Sequence, residues 1–405
     1  MDRFSVKRRY AATLVTNLFN LAAGVVNSLI VPLALGPAAY GSYQFLSKSF
    51  GLMLGCSNMS LSSALFTRSS RETESTNVLV VFGAWVALQT VLLAVIVLVA
   101  VLFDLKRWMF PAQLSLIIVL VALSEWANYL AANALQFGES KAESLFVQRI
   151  SLIAGALKML VIAILFGIGR LTLTSFIFVN FVGAVFSVLC IARFFLQREN
   201  RDKYFGAFDA LKVRACGRYF VAFCSPLVVY QAAGFFCAYF DRWFLMIAAG
   251  AVQQGLFSLS FQWSGVCLLF TSAMTNIAMR EASFSFGQGD FVRLRNIYRR
   301  VFRMTLMASG CLAVYMALQA PTIIALFLKS KYSGAEHVAM IMAFYPIFAG
   351  IEALNSSFFY GTEQVKTYRN IAILMMGVGI AITYVFVAPA NFLIPGLGLA
   401  GAGVA

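Results

Sequence analysis

Eleven apolar runs of roughly 20 to 30 residues, separated by short polar or basic stretches, leave this chain little choice of fold. A helix crossing the hydrocarbon core of a bilayer needs about 20 mainly apolar residues. Lipid offers no hydrogen bonds, so each run must satisfy its own backbone, which selects helices. The runs lie at 11–34, 43–66, 77–103, 112–137, 144–167, 171–196, 219–248, 254–279, 301–328, 337–360 and 369–389. A twelfth begins near Gly396 and is cut off at Ala405. Only 12 % of the 405 residues are charged, about half the usual share, too few to clothe a water-soluble globule. The expected class is an all-α polytopic membrane protein of about 12 transmembrane helices, the last incomplete.

The charges test this count. Of 31 Lys and Arg, 22 fall in the N-terminus, in the loops after runs 2, 4, 6, 8 and 10, and in the helix ends beside them. The opposite loops hold five (Lys106, Arg107, Arg170, Lys329, Lys331) and four lie inside runs. That bias places the N-terminus in the cytoplasm. It also reads the +15 net charge as membrane topology and not as a nucleic-acid face. The basic Met1–Tyr10 precedes a run of about 24 residues without a small-x-small cleavage site, so the first run reads as a permanent span and not a signal peptide. Seven Cys form no CxxC pair, and six sit in apolar segments as small hydrophobes. With one histidine, His337, a zinc site is not expected. No external connection exceeds about 15 residues, which leaves no room there for a catalytic domain. The longest hydrophilic stretch, 197–218, divides the chain into a six-helix lobe (1–196), a basic cytoplasmic linker (197–218) and a second lobe (219–405).

The two halves match at an offset of 214. Leu35-Gly-Pro-Ala-Ala-Tyr-Gly-Ser-Tyr43 returns as Ala249-Gly-Ala-Val-Gln-Gln-Gly-Leu-Phe257, pairing Gly36 with Gly250, Gly41 with Gly255 and Gly51 with Gly265. Both copies join the first and second helices of a half, where glycine permits a tight turn. Six spans per half make this a parallel repeat about an axis along the membrane normal, as in many transporters.

Polar and small residues form stripes on the repeated helices. Gln44, Lys48, Gly51, Gly55, Asn58 and Ser62 follow steps of four and three on one face of the second helix. Ser258, Gln262, Gly265, Leu269, Ser272 and Asn276 answer them in the eighth. The first helix carries Asn17, Asn20, Gly24 and Asn27, and the seventh Gln231, Gly234, Ala238 and Asp241. Such stripes serve close helix packing or line a hydrated cavity between the halves, and Lys48, Asp241 and the three asparagines favour the cavity. Charges within spans need a reason, since each costs roughly 2.5–3.5 kcal/mol at the bilayer centre. Lys48 and Arg149 are near enough to helix ends to snorkel, whereas Lys158 is about 14 residues into its run. Arg242 adjoins Asp241, but helix neighbours point about 100° apart. Glu125 and Glu352 read as counter-ions to these cations, with proton or sodium coupling as the alternative. No Walker A sequence, nucleophile elbow or HExxH motif is present. The basic clusters Arg198–Arg218 and Arg293–Arg303 suit orientation and anionic membrane lipids.

The repeat, the Leu35-Gly-Pro-x-x-Tyr-Gly-x-Tyr43 turn and Tyr239-Phe-Asp-Arg-Trp243 resemble the bacterial polysaccharide or O-antigen flippases of the multidrug/oligosaccharidyl-lipid/polysaccharide exporter superfamily. The likeness runs from the basic N-terminus to Pro395–Gly403, which is similar to the family's entry into helix 12. The resemblance implies two six-helix lobes around a central cavity, alternating access and residence in the bacterial inner membrane. It also implies a polyprenyl-diphosphate-linked oligosaccharide substrate, carried to the periplasmic leaflet for O-antigen, capsule or exopolysaccharide synthesis, and partners such as a polysaccharide polymerase and a chain-length regulator. No cofactor is implied. On this reading Lys48, Asn17, Asn20 and Asn27 hold the diphosphate, with Lys158 and Arg242 as further cations and Asp241 on the cavity wall. Asn58, Gln262 and Asn276 then bind sugar hydroxyls. Lipid II flippases share the architecture but carry several arginines in their first helices, where this chain offers only Lys48, so a peptidoglycan precursor ranks lower. A cation-coupled multidrug exporter, with Asp241 and Glu352 as its acids, is the alternative. A membrane-embedded polymerase or acyltransferase stands behind it.

Overall fold

The computed structural model describes residues 3–389, apart from 60, 72–75, 142, 226–227, 266–267, 333 and 363, together with Leu397. Side chains at 3–15, 17, 18, 21, 269–277 and some scattered positions are outside the described set. The expected twelfth span and the Pro395–Gly403 motif also lie outside the described residues.

The described chain is helical throughout. Its elements are α1 (Arg3–Asn58), α2 (Leu61–Arg71), α3 (Thr76–Leu102), α4 (Lys106–Met109), α5 (Ser115–Ser140), α6 (Ser144–Gly167), α7 (Leu173–Leu196) and α8 (Arg198–Tyr204). They continue with α9 (Ala210–Cys224), α10 (Val228–Ser264), α11 (Leu268–Gly287), α12 (Phe291–Phe327), α13 (Ala335–Met342), α14 (Tyr345–Gly361) and α15 (Val365–Val387). Among the described residues, nine segments are long and apolar enough to span a bilayer. This is a multi-pass membrane protein.

Several boundaries differ from the hydropathy reading. Runs 11–34 and 43–66 correspond to two helices that meet at the non-helical Gly36 within α1, and the second run breaks after Asn58, where Met59 has φ 46°. Runs 219–248 and 254–279 are shifted: α10 begins at Val228, comprises two helices that meet at the non-helical Gly250, and ends at Ser264. Run 337–360 is divided into α13 and α14. Window hydropathy registers apolar content, and it cannot see a backbone bend that leaves that content unchanged.

The two bends carry the repeat into the backbone. Gly36 adopts φ 76°, ψ 165° and Gly250 φ 79°, ψ −178°, a region open essentially to glycine alone. The turns expected there are each made at a single non-helical glycine that joins two helices. Gly36→Ala or Gly250→Ala is expected to cost about 1–3 kcal/mol, read as a lower unfolding temperature of the detergent-purified protein. Gly51→Ala, with open space around the added methyl, is the control and should not destabilise it.

Contacts divide the chain into two compact units, Met1–Ala34 with Phe45–Tyr239, and Leu35–Gln44 with Phe240–Ala405. The stretch 197–218, expected as a basic linker, contains α8 and much of α9, and α9 buries Cys216, Phe220 and Cys224 against Leu61, Leu65, Val78 and Phe82 of the first unit. The amphipathic pattern of α9 supplies the reason, since one face is apolar while Lys212, Arg214 and Arg218 occupy the remainder. Tyr204 and Lys203 add contacts to Glu143, the tyrosine by hydrogen bond and the lysine at 3.4 Å. Within the first unit, α5 and α7 approach over Ala127, Ala131 and Ala184, small residues of the kind that let membrane helices pack closely.

The second unit packs α11 against α14 through Ala278, Ala282, Leu354 and Phe358. It also contains the closest backbone approach of the repeat. A Cβ added at Gly41 would overlap the Ala251 carbonyl oxygen and lie 2.6 Å from Gly255 N, while one added at Gly255 would overlap the Pro37 carbonyl oxygen. Pro37 and Ala251 are themselves offset by 214, so the two copies cross with reciprocal contacts.

Candidate functional site

The first unit assembles three charged side chains from three helices. Ser47 Oγ of α1 donates to Glu125 Oε1 of α5 at 2.7 Å. Lys48 of α1 and Lys158 of α6 lie within electrostatic range of Glu125. A Cβ added at Gly183 of α7 would lie 3.9 Å from Lys158 Cδ, so the absent side chain there leaves room for the lysine stem. One turn from Lys158, Gly155 faces Phe19 and Asn20 of α1, with Asn20 Oδ1 3.6 Å from a Cβ built on that glycine. The group sets two lysines against one carboxylate. Lys48 and Asn20 are exposed and Lys158 is half-buried, so the cluster remains open to a ligand.

Asn27 lies along the same helix as Asn20, and its Oδ1 is buried without a hydrogen-bond partner. The side chains of Asn17 and Asn276 lie outside the described residues. Asn58, expected to bind sugar, is engaged elsewhere: its Nδ2 donates to Ser62 Oγ at 2.9 Å, and its Oδ1 lies 2.9 Å from Tyr129 Oη. Tyr129 Oη is also 2.9 Å from Gln89 Oε1, and Gln89 Nε2 donates to Ser57 Oγ. Ser62 reaches Asn133 as well. This network fastens the break after Asn58 to α3 and α5. Tyr129, Gln89 and Asn133 were missed in the sequence because isolated polar residues on three different runs carry no shared spacing.

The second unit holds the remaining expected residues. The Arg242 guanidinium carbon lies 5.7 Å and 5.5 Å from the ring centroids of Phe257 and Phe261, and Nη1 reaches Ser258 Oγ at 3.5 Å. Asp241 turns the other way, toward Thr383 of α15; its Oδ1 is buried and has no hydrogen-bond partner. The divergence of these neighbours follows from their 100° separation on the helix. Gln262 Oε1 accepts from Tyr40 Oη at 2.8 Å, and Tyr40 Oη accepts from Gln44 Nε2 at 2.9 Å. Tyr40 was visible only as part of the turn motif; its role as the partner of Gln262 needed the fold. Glu352 is exposed, with Tyr368 Oη 3.5 Å from its Oε1.

No protein-family model matches the sequence, and no curated relative matches it either. Solved structures do. An inward-facing multidrug resistance MATE family transporter of the MOP superfamily superposes with a TM-score of 0.68 at 18 % identity, over 96 % of this chain and 90 % of that one. The chain has the fold of a MOP superfamily transporter. An outward-facing structure of a multidrug resistance MATE family transporter gives a TM-score of 0.59 at 13 % identity, covering 97 % of this chain and 88 % of that one. A MOP superfamily transporter from Pyrococcus furiosus, described by the reverse polarity of its binding pocket, gives 0.58 at 15 % identity with the same two coverages. The MOP fold comprises two bundles and twelve helices.

Proposed function

We propose that this protein is a transporter that moves a polyprenyl-diphosphate-linked oligosaccharide from the cytoplasmic to the periplasmic leaflet of a bacterial inner membrane, by alternating access. The observation that carries the reading is the placement of Lys48 and Lys158 within electrostatic range of Glu125, on helices long and apolar enough to span a bilayer. A diphosphate is best held by fixed cations where the dielectric is low, because charge-assisted hydrogen bonds are strongest there. Asn20 and Asn27 supply hydrogen-bonding groups on the same helix as Lys48, and Gln262 is the exposed candidate for sugar hydroxyls. Structures of this fold in inward- and outward-facing conformations support alternating access. The Pyrococcus furiosus transporter, described with a reversed pocket polarity that suggests a different function, supports using charge to choose a substrate class within it.

The second reading, a cation-coupled multidrug exporter, is favoured by the unpartnered Asp241 Oδ1 and by structural neighbours that are multidrug resistance transporters. Deleting the gene in its native cell separates the two. Loss of surface polysaccharide, with unpolymerised lipid-linked units trapped on the cytoplasmic leaflet, is the expected result. Intact polysaccharide with heightened sensitivity to cationic drugs would establish the exporter instead.

A further inference from the structure

The helix α12 passes from basic to apolar along a single line of its surface. Its 37 residues rise about 55 Å at 1.5 Å each, well beyond a hydrocarbon core of roughly 30 Å. The apolar run begins only at Val301, so the turns before it fall at the level of lipid headgroups. Residues on a helix turn by about 100° each, which sets Arg293, Asn296 and Arg300 in line with Met304, Met307 and Cys311. Met304, Met307 and Cys311 are exposed, whereas Thr305, Ser309 and Ala313 on the opposite face are buried.

A cavity of about 570 Å³ opens at the basic end of this line, with Glu281 of α11 and Asp290, Arg293, Asn296 and Arg300 among its walls. Both acids are engaged. Glu281 pairs with Arg293 at 3.2 Å, and the Arg293 guanidinium lies 5.3 Å from the Phe284 ring centroid. Asp290 accepts from the Arg293 backbone N–H at 2.8 Å, so the helix N-terminus is already capped. Among the described residues, Asn296 and Arg300 have neither a hydrogen-bond nor an ion-pair partner, and both are exposed. The other arginines of the cluster are directed elsewhere: Arg299 and Arg295 point about 100° and 140° away from Arg300, and Arg303 Nε donates to the Arg299 carbonyl at 3.2 Å.

The geometry points to a binding site for an anionic phospholipid, with its phosphate on Arg300 and Asn296 and an acyl chain along Met304, Met307 and Cys311. Guanidinium and amide N–H groups donate to phosphate oxygens, and a zwitterionic headgroup would bring its own cation against Arg293 and Arg300. From Arg300 to Cys311 the helix rises about 16 Å, close to half the hydrocarbon thickness, so the line matches one leaflet. A free phosphate would leave it unused. The site is independent of what the protein transports.

The test is native mass spectrometry of the full chain in detergent, titrated with phosphatidylglycerol or with phosphatidylcholine of the same acyl chains. Wild type should hold one phosphatidylglycerol about tenfold more tightly than phosphatidylcholine. Arg300→Gln should weaken phosphatidylglycerol binding about tenfold, the loss of one charge-assisted hydrogen bond. Arg299→Gln removes the same charge from another face and should leave it unchanged. Asn296→Asp, which exchanges an amide donor for an anion, should act as Arg300→Gln does and serves as the second variant if that one loses stability. Equal weakening by Arg299→Gln and Arg300→Gln would mean that net charge alone attracts the lipid, and would overturn the site. Equal affinity for the two lipids would overturn it too, as would displacement of the bound lipid by glycerol phosphate, which has no acyl chains.

Discussion

Lys158→Met is expected to reduce transport by about 10- to 100-fold while the protein continues to insert and accumulate. The lysine contributes one of the two cations of the cluster, and a hydrogen bond to a charged group is worth about 1.5–3 kcal/mol. Methionine removes that charge but keeps an unbranched apolar stem of similar length in the space over Gly183. Insertion should not suffer, since an apolar residue replaces one that costs roughly 2.5–3.5 kcal/mol near the bilayer centre. The readout is surface polysaccharide in the deletion strain complemented with the variant, alongside its membrane abundance. Lys48→Met should lower transport in the same direction. Wild-type polysaccharide from both variants would remove the cluster from the substrate path. Charge removal in Arg293–Arg303 should instead alter orientation or yield.

Gly41→Val and Gly255→Val are expected to produce the largest structural effects of any single substitutions in the repeat. At each position the added carbon runs into a backbone carbonyl, and backbone cannot move aside as the end of a side chain does. Overpacking of this kind costs about 1–3 kcal/mol, and more where relief needs a backbone shift. The checks are the unfolding temperature and the monodisperse yield of each variant in detergent, compared with Gly55→Val, where the added carbon meets nothing within 4 Å. Equal behaviour at the three positions would mean that the reciprocal crossing does not contribute to stability.

Much of the fold was legible because a membrane helix is specified by local composition. Each run had to satisfy its own backbone, so α3, α5, α6 and α7 appear close to where hydropathy put them. The repeat was legible too, and Gly36 and Gly250 share a backbone conformation that few residues other than glycine adopt. The breaks after Asn58 and within 337–360 were not, because they interrupt the helix without interrupting its apolar content. For α9, a charge-rich stretch read as linker conceals an apolar face that only a partner surface reveals.

The candidate site divides along the same line. The presence of Lys48, Glu125 and Lys158 within spans was evident from the sequence, since a charge there is costly enough to require an explanation. Their meeting was not. Residues 48, 125 and 158 stand on three helices far apart in the chain, and lipid does not orient membrane helices as water orients an amphipathic one. Hydropathy consequently determined the helical, multi-pass character of the chain, and the offset of 214 determined its internal duplication. Which polar side chains are spent on packing, as Asn58 is, and which converge on a shared charge, as the two lysines do on Glu125, was decided by tertiary structure. Helix rotation is set by interhelical packing, and that information is spread over contacts far apart in the chain.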